Sequence, residues 1–394
     1  MEIGIDAICW WNRRGFGRFT RELLKALFAE PRGHRFCLFV DQPPAPEMDR
    51  RHVRVVRVGT RRTVTEAAVA TDNRSPMDIW RFCRAVAAER LDVMFFPAVY
   101  SWFPVPGRSP PSVVTLHDAI AEHFPHLVFP DLRRRMLWSV KVRLACLQAR
   151  RLLTVSNAAL SEIVRYIGVA PDRIDVVCEG ANAGFRPIAD PERRAAARAR
   201  AGLPQRLPFL IYVGGLAPHK NLGTLLDGLA LAVQNTELSA LQLALVGDPE
   251  GAGFHSNRDE LQARVTNDPR LCGRVYFTGF VADGDLAALY SDAVAAVLPS
   301  VSEGFGLPVL EAMACGTPVL TANAGAAPEI AGEGGLQFAP LDPTAIADAI
   351  RRVVREPATR EALARHALVR AGTYSWQRGA RLTLDALERS VGSR

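Results

Sequence analysis

Two glutamates bracket a glycine-containing turn in the second half of the chain. Glu303 directly precedes Gly304, and seven residues separate Glu303 from Glu311. An apolar run precedes the turn and Pro308 follows it, so the segment predicts a strand, a turn and a helix start. Such a turn lets backbone N–H groups approach a phosphate, whose charge the helix dipole offsets. A carboxylate on each flank of a bound pyrophosphate would meet a hydroxylated group, which is the layout of a nucleotide-sugar.

The first half of the chain alternates short apolar runs with stretches of helical periodicity. The predicted strands are 3–8, 36–40, 53–58, 93–96, 112–116, 152–155 and 174–177. The predicted helices are 17–28, 78–89, 131–150 and 157–167. Strand–helix alternation of this kind favours a parallel, doubly wound sheet.

A polar stretch rich in Arg, Ala and Pro, at 185–208, predicts the connection to a second alternating series. Its predicted strands are 209–213, 242–246, 275–277, 295–298, 318–321 and 336–338. Its predicted helices are 221–233, 257–265, 285–291, 307–314, 326–331, 343–355 and 360–371. The sequence therefore predicts an α/β protein of two Rossmann-like, doubly wound domains that face an interdomain cleft. The first would comprise 1–185 plus a C-terminal helix at 375–394, and the second 186–374, with the ligand beyond the strand ends.

Composition agrees with two ordinary globular domains. The chain has 394 residues, of which 48% are hydrophobic and 23% charged. Its seven cysteines are scattered, and no apolar window is long enough for a signal peptide or a membrane span, which favours a cytoplasmic protein. The net charge of +7 suits anionic ligands such as nucleotides or phospholipid headgroups.

The most basic stretch, 131–151, is predicted to form an amphipathic helix. The apolar residues at helical spacing are Leu132, Met136, Leu137, Val140, Leu144 and Leu147. The basic face is expected to be solvated, or else to rest on anionic lipid as a peripheral contact with the inner face of the plasma membrane.

The segment SEGFGLPVLEAMACGTPV, which contains both glutamates, resembles the signature of retaining GT-B glycosyltransferases of family 4. Further segments are similar to other elements of that family: YVGGLAPHKN at 212–221, YFTGFV at 276–281, TVSN at 154–157 and VTLHD at 114–118. The resemblance covers nearly the whole chain and implies the GT-B fold.

The resemblance implies a donor site in the second domain. Glu311 would hold the ribose hydroxyls, and Glu303 would bind a ring hydroxyl of the donor sugar. Lys220 would neutralise the charge of the departing nucleoside diphosphate, so that neither a metal nor another cofactor is expected. The remaining donor-binding positions are Gly214, Gly215, Asn221, Val281, Gly304, Phe305, Gly306 and Leu307.

In the first domain the resemblance implies that His117 approaches the donor sugar. A loop beneath the phosphates and the acceptor would consist of Gly15, Phe16, Gly17 and Arg18. One departure concerns charge, because family members often place an Arg a few residues before the lysine, where this chain has only His219 beside Lys220. Either Arg18 or another cation takes the place of that Arg, or the charge of the departing diphosphate is neutralised less completely.

The implied reaction retains the anomeric configuration through same-face displacement by an acceptor. Uridine-, guanosine- and adenosine-linked sugars all fit this scaffold; a GDP- or UDP-linked donor is expected, with a mannose-type sugar as one candidate. The acceptor would be a glycan, a lipid-linked molecule or a small molecule, with cell-surface polysaccharide assembly as the commonest family context. No nucleic acid partner is expected.

Two alternatives remain open at this stage. The run from Gly15 to Thr20, with Asp41 at the end of the second strand, partly matches a dinucleotide fingerprint and so admits an NAD-dependent oxidoreductase. The other alternative is a GT-B protein that binds its ligand without catalysis. Such a protein would be expected to lack some of the site residues, but all four are present: Glu303, Glu311, Lys220 and His117. Asp283 and Asp285 imitate a metal motif, but helix capping is the preferred interpretation.

Overall fold

Two separate parallel sheets organise the chain. The computed structural model describes residues 1–12, 14–60, 75–105, 110–247 and 257–392. Within these residues, one compact unit comprises 1–179 and 375–392, and the other comprises 180–247 and 257–374. The boundary lies in the connection between residues 176 and 191, which also contains the domain boundary suggested by the sequence.

The first unit is built on a seven-stranded sheet. Its strands are β1 (Glu2–Asp6), β2 (Arg35–Val40), β3 (Val53–Arg57), β4 (Val93–Phe96), β5 (Ser112–Thr115), β6 (Ala149–Thr154) and β7 (Ile174–Val176). They run parallel in the order β3-β2-β1-β4-β5-β6-β7. Strands β4 and β5 are buried along their whole length, and β2 is buried except at Arg35, which explains why they appear in the sequence as continuous apolar runs.

Helices connect these strands. They are α1 (Gly15–Ala29), α2 (Pro76–Ala87), α3 (Ile120–His123), α4 (Pro125–Val128), α5 (Leu132–Gln148) and α6 (Asn157–Ile167). The short helices α3 and α4 escaped prediction because neither is long enough to show a helical period.

The basic helix α5 contradicts the expected amphipathic pattern. Its buried side chains are Trp138, Val142, Ala145 and Cys146. The apolar residues whose spacing predicted the helix are all exposed. Because both faces carry apolar residues, periodicity alone could not tell which of them meets the core.

The second unit repeats the architecture with six parallel strands. They are β8 (Phe209–Val213), β9 (Gln242–Val246), β10 (Val275–Gly279), β11 (Ala295–Leu298), β12 (Val319–Ala322) and β13 (Gly335–Phe338), in the order β10-β9-β8-β11-β12-β13. Its helices are α7 (Pro191–Arg200), α8 (Leu222–Ala232), α9 (Arg258–Asn267), α10 (Asp283–Asp292), α11 (Leu307–Ala314), α12 (Ala327–Ala331), α13 (Pro343–Arg355) and α14 (Pro357–Ala371). The predicted α/β fold with two Rossmann-like domains is confirmed.

Helix α7 was missed because its sequence is polar and lacks an apolar period. Asp190 caps the helix by accepting hydrogen bonds from the amides of Glu192 and Arg193, and Pro191 occupies the first helical position. These terminal signals were present in the sequence.

The last helix, α15 (Trp376–Gly392), belongs to the first unit and packs against α1. Gly379 makes close packing feasible, since a Cβ there would lie 2.4 Å from the carbonyl oxygen of Cys178. Arg389 also donates to Asp175 at 2.9 Å. None of the described helices has the length and apolarity required to cross a bilayer.

Candidate functional site

The predicted donor residues gather at one edge of the second sheet. Lys220 follows β8, Val281 follows β10, and Glu303 follows β11. Strands β8 and β11 are neighbours, and the order of the strands reverses between them. In a parallel sheet the carboxyl ends of the strands share an edge, and ligands bind where the strand order reverses.

The segment around Glu303 has the predicted order of a strand, a turn and a helix start, between β11 and α11. Gly306 precedes the helix with a φ of 93°, a left-handed conformation that disfavours any side chain. No side chain caps this helix start, which is the positive end of the helix dipole, and the amide of Val309 donates to the Gly306 carbonyl at 2.9 Å. Phe305 is buried, with its ring edge-on to Tyr374 at 5.7 Å, which fixes the turn.

Glu303 is held in place by two side chains. The Lys220 ammonium lies 2.6 Å from Oε1, and the Ser300 hydroxyl donates to the same oxygen at 2.6 Å. Burial raises the pKa of Glu303, but Lys220 and Ser300 outweigh it, and the net pKa lies below its ordinary value. Glu303 is therefore a carboxylate at neutral pH, and it can accept a hydrogen bond from a sugar hydroxyl.

Backbone contacts join the two loops that carry this pair. The amide of Val301 donates to the carbonyl of His219 at 3.0 Å. Asn221 adopts a left-handed φ of 57°, and its Nδ2 donates to the carbonyls of Pro299 and Pro340 at 3.0 and 2.5 Å. Asn221 thus stands at the helix N-terminus, but its side chain bridges the ends of β11 and β13 and does not cap the backbone.

Gly325 supports Glu303 from the loop after β12. A Cβ at Gly325 would lie 2.5 Å from the Glu303 amide nitrogen, and its φ of 58° is left-handed. The next residue, Ala326, donates its amide to the Glu303 carbonyl at 3.0 Å. The backbone of Glu303 is therefore fixed independently of its side chain.

The glycines after β8 allow neighbouring atoms to approach the backbone as closely as they do at Gly325. Gly214 has a φ of 154°, and a Cβ there would lie 2.6 Å from the hydroxyl of Tyr212. That hydroxyl donates to the carbonyl of Gly215 at 2.6 Å, and burial raises the pKa of Tyr212 well above its ordinary value. A Cβ at Gly247 would lie 2.0 Å from the Gly214 carbonyl oxygen.

Glu311 and Val281 are two further residues of the predicted site. Glu311 lies on the second turn of α11 and is only 2% exposed. Val281 is half-buried just before α10.

The preferred interpretation of the aspartates in α10 as caps was wrong, because the helix begins at Asp283 itself and no side chain caps it. Asp285 is instead in an ion pair with Arg200, whose hydrogen bond lowers the pKa of Asp285.

His219 does not supply the missing second cation. Burial, and then the neighbouring Lys220, lower its pKa to about 4, so the imidazole is neutral at pH 7. Among the residues that the structure describes, no three His, Cys, Asp or Glu side chains converge closely enough to hold a metal ion.

In the first unit, His117 follows β5 and is also neutral. Burial lowers its pKa to about 4. Its Nε2 lies 3.0 Å from the carbonyl oxygen of Pro97, which can only accept, so Nε2 carries the proton. Nδ1 is left as a hydrogen-bond acceptor, 4.0 Å from Oε1 of Glu179. Phe19 packs edge-on against the ring at 4.6 Å.

The predicted phosphate and acceptor loop is not a loop. Gly15, Phe16, Gly17 and Arg18 form the first turn of α1. A Cβ at Gly17 would lie 2.1 Å from the carbonyl oxygen of Asn12, so close packing and not turn formation requires this glycine. The sequence interpretation placed the helix start two residues late because glycines usually interrupt helices.

Several supporting residues were not predicted. Ser300 and Gly325 touch Glu303, and Pro97 and Glu179 flank His117. Gly325 has a detectable signal, since it lies in a run of small residues directly after a buried strand. The others come from separate chain segments, whose proximity only folding creates.

Two Rossmann-like units, of which the second carries a glycine turn between two carboxylates after its strand β11, define the class of nucleotide-binding α/β proteins. Residues 13–184 match the family "Glycosyltransferase Family 4", and residues 193–369 match "Glycosyl transferases group 1". The O-antigen chain mannosyltransferase B of Escherichia coli is 30% identical over 284 residues, 72% of each chain. The chain belongs to the family 4 glycosyltransferases, as its sequence motifs predicted.

Other relatives and solved structures agree. A D-inositol 3-phosphate glycosyltransferase from Nocardioides is 36% identical over 253 residues, 61% of this chain but only 54% of that protein. The sucrose-phosphate synthase of Thermosynechococcus elongatus shares the fold over 99% of both chains, at a TM-score of 0.74 and 22% identity. Anabaena HepE, solved with UDP and glucose, has a TM-score of 0.73 at 21% identity and covers 99% of this chain. These similarities identify the fold as GT-B and disfavour an oxidoreductase.

Proposed function

We propose that this protein transfers a sugar from a nucleoside diphosphate sugar to an acceptor hydroxyl with retention at the anomeric carbon. The observation that carries the proposal is Glu303, held as a carboxylate by Lys220 and Ser300 beside the uncapped start of α11. This arrangement brings together a carboxylate that can accept from a hydroxyl, the Lys220 ammonium from the loop after β8, and the positive dipole end of α11. A nucleotide-sugar needs these three kinds of contact.

The reaction exchanges one bond at the anomeric carbon for another on the same face. The bond from that carbon to the diphosphate oxygen breaks, and the electron pair leaves with the diphosphate. The acceptor oxygen then bonds to the carbon, while its proton passes to a diphosphate oxygen. We assign no protein nucleophile, because Glu303 is already engaged by Lys220 and Ser300.

The residues divide this work by their position. Amides at Gly304, Phe305, Gly306 and Leu307 receive the pyrophosphate, with Gly214 and Gly215 lying close to it from β8. Glu311 binds the ribose hydroxyls, and Val281 contacts the base through its backbone. Neutral His117 accepts a hydrogen bond from a sugar hydroxyl at Nδ1.

We further propose that catalysis needs no metal, since Lys220 offsets part of the charge on the leaving diphosphate. Turnover measured with and without EDTA, after dialysis, tests this. Equal rates are expected, and a loss that Mg²⁺ or Mn²⁺ restores would contradict it.

For the donor we propose a GDP- or UDP-linked hexose, with GDP-mannose tested first because the Escherichia coli relative is named a mannosyltransferase. For the acceptor we propose a glycan or lipid-linked glycan, with a small molecule as the alternative. These assignments extend the relatives' names to this chain.

A thermal-shift series with UDP, GDP, ADP and NAD tests the proposed function. A nucleoside diphosphate should raise the midpoint temperature of unfolding. At a concentration one hundred times its Kd, it should add about 3 kcal/mol to the free energy of unfolding. The test variant is Glu311→Gln, in which tenfold weaker binding should reduce the added stability to about 1.4 kcal/mol at the same ligand concentration. Stabilisation by NAD alone, or an equal shift in wild type and Glu311→Gln, would contradict the assignment.

A further inference from the structure

Two side chains at the end of the second unit contact the segments on both sides of Glu303. We call residues 303–306, between β11 and α11, the Glu303 turn. Arg370 lies in the last turn of α14, and Tyr374 follows shortly after the helix ends. Tyr374 is the last residue of the second unit, since the chain enters the first unit at Ser375. Neither Arg370 nor Tyr374 belongs to the site predicted from the sequence.

The ring of Tyr374 packs on the Glu303 turn through Phe305. The two rings meet edge-on, with their centroids 5.7 Å apart and their planes at 84°. Phe305 is only 4% exposed, so its ring anchors the turn among neighbouring side chains, of which Tyr374 is one. The turn needs such an anchor because Gly304 and Gly306, on either side of Phe305, restrict the backbone little by themselves.

Arg370 holds Tyr374 in this position. Its Nη2 donates to the Tyr374 hydroxyl at 2.9 Å, and its guanidinium carbon lies 5.2 Å from the centre of the same ring. A charged donor makes a stronger hydrogen bond than a neutral one, and a cation over an aromatic face adds to the attraction. The backbone amide of Tyr374 also donates to the Ala371 carbonyl at 3.1 Å. Tyr374 is therefore fixed at both its backbone and its side chain.

The same guanidinium binds the end of α12. Nη2 of Arg370 donates to the carbonyl of Glu329 at 2.6 Å, and Nε donates to the carbonyl of Ile330 at 3.3 Å. The last carbonyls of a helix have no partners within the helix, and a cation there also meets the negative end of the helix dipole. Gly332 allows the approach, since its φ is 50° and a Cβ there would lie only 3.3 Å from Nε.

Helix α12 leads back to the Glu303 turn. The amide of Ile330 donates to the Ala326 carbonyl at 3.0 Å, and the amide of Ala326 donates to the Glu303 carbonyl, also at 3.0 Å. Because α12 has five residues, about 7 Å of helix separates its two ends. The bonds that Arg370 makes at one end of α12 are therefore connected to Glu303 through two backbone hydrogen bonds.

We propose that Arg370 and Tyr374 are positioning residues that hold the Glu303 turn in the shape that receives the pyrophosphate. They act on the turn through Phe305 on one side and through α12 on the other. We assign neither side chain a contact with the donor. The inference rests on the proposed function, because it takes this turn as the pyrophosphate site.

Binding of a nucleoside diphosphate and of its nucleoside, compared by calorimetric titration of the full chain, tests the proposal. Tyr374→Leu removes the ring that packs on Phe305, and should weaken the affinity for whichever of GDP and UDP wild type binds about tenfold. The affinity for guanosine or uridine, which has no phosphate, should change by less than about twofold. An equal loss for nucleotide and nucleoside, or an unchanged nucleotide affinity, would overturn the proposal.

Two matched variants separate positioning from stability. Tyr374→Phe keeps the ring on Phe305, so its nucleotide affinity should stay within about threefold of wild type. Arg351 donates to the Leu231 carbonyl at 2.8 Å, in the last turn of α8, as Arg370 does in α12. Arg351→Gln and Arg370→Gln should both lower the unfolding midpoint, but only Arg370→Gln should weaken nucleotide binding, about fivefold. Equal losses of affinity in these two variants, or in the Phe and Leu variants of Tyr374, would contradict the proposal.

Hydrogen exchange without ligand separates this inference from the proposed function. The amides of Val309 and Leu310 donate to the Gly306 carbonyl at 2.9 and 3.3 Å, at the end of the Glu303 turn. Their exchange should become about tenfold faster in Tyr374→Leu and stay unchanged in Arg351→Gln. Unchanged exchange in Tyr374→Leu would overturn the inference, whatever the protein binds. Faster exchange in a protein whose wild type binds no nucleoside diphosphate would support the positioning of the turn and contradict the proposed function.

Discussion

The ammonium group of Lys220 lies 2.6 Å from Oε1 of Glu303, although 83 positions separate the two residues in the chain. Lys220 follows β8 and Glu303 follows β11, and these strands are adjacent only because the sheet order reverses there. The strand order of the second unit therefore brings Lys220 beside Glu303, and this contact lowers the pKa of the Glu303 carboxyl.

Removing the charge of Lys220 should lower the stability of the protein, and removing the charge of Glu303 as well should restore it. Lys220→Met leaves the Glu303 carboxylate with its Ser300 bond but without a cation, and should lower the free energy of unfolding by about 2 kcal/mol. Lys220→Met/Glu303→Gln should recover most of that stability but none of the turnover. Urea unfolding and donor turnover measure the two quantities. If the double variant is no more stable than the single one, the charge pair does not contribute to folding.

The two glutamates should affect different steps. Glu311→Gln should weaken nucleoside diphosphate binding about tenfold or more, because ribose loses a charged acceptor. Glu303→Gln should reduce turnover about a hundredfold and change nucleotide binding little, since this residue faces the sugar. Calorimetric titration and steady-state kinetics separate these effects. Unchanged turnover in both variants would remove the proposed mechanism.

Gly325 should be irreplaceable for a steric reason. Gly325→Ala brings a Cβ to 2.5 Å from the Glu303 amide nitrogen, and should destabilise the protein by at least about 3 kcal/mol. Gly273→Ala is the matched control, because its φ of 73° is similar but nothing lies within 4 Å of its Cβ. The control should cost only about 1 kcal/mol, through backbone strain. Equal losses would show that packing against Glu303 is unimportant.

His117 should make folding sensitive to acid. Its folded pKa of about 4 lies below the ordinary 6.5, so between these values the unfolded chain binds more protons and stability falls as the pH falls. From pH 7 to pH 5 this residue accounts for a loss of about 2 kcal/mol, which His117→Gln should remove. The exposed His126→Gln serves as the control in the same unfolding titration. An unaltered pH dependence in His117→Gln would show that the imidazole is not buried in neutral form.

Most of the fold was predictable because each strand is a local signal. The strands of both sheets are short apolar runs separated by helices, and buried parallel strands must have that composition. The exceptions were segments with weak local signals, namely the polar helix α7, the short helices α3 and α4, and the first turn of α1, where Gly17 packs against Asn12.

The sequence by itself determined the two-domain α/β fold, the family, and the turn with Glu303 and Glu311, because these depend on residues that are close together in the chain. Tertiary structure alone decided that Lys220, Ser300 and Gly325 meet at Glu303. It also decided that His117 and His219 are neutral. Finally, it decided that the apolar residues that predicted helix α5 point away from the core. Burial and contacts between distant segments set these properties, since desolvation and packing depend on the arrangement of the whole unit and not on local spacing.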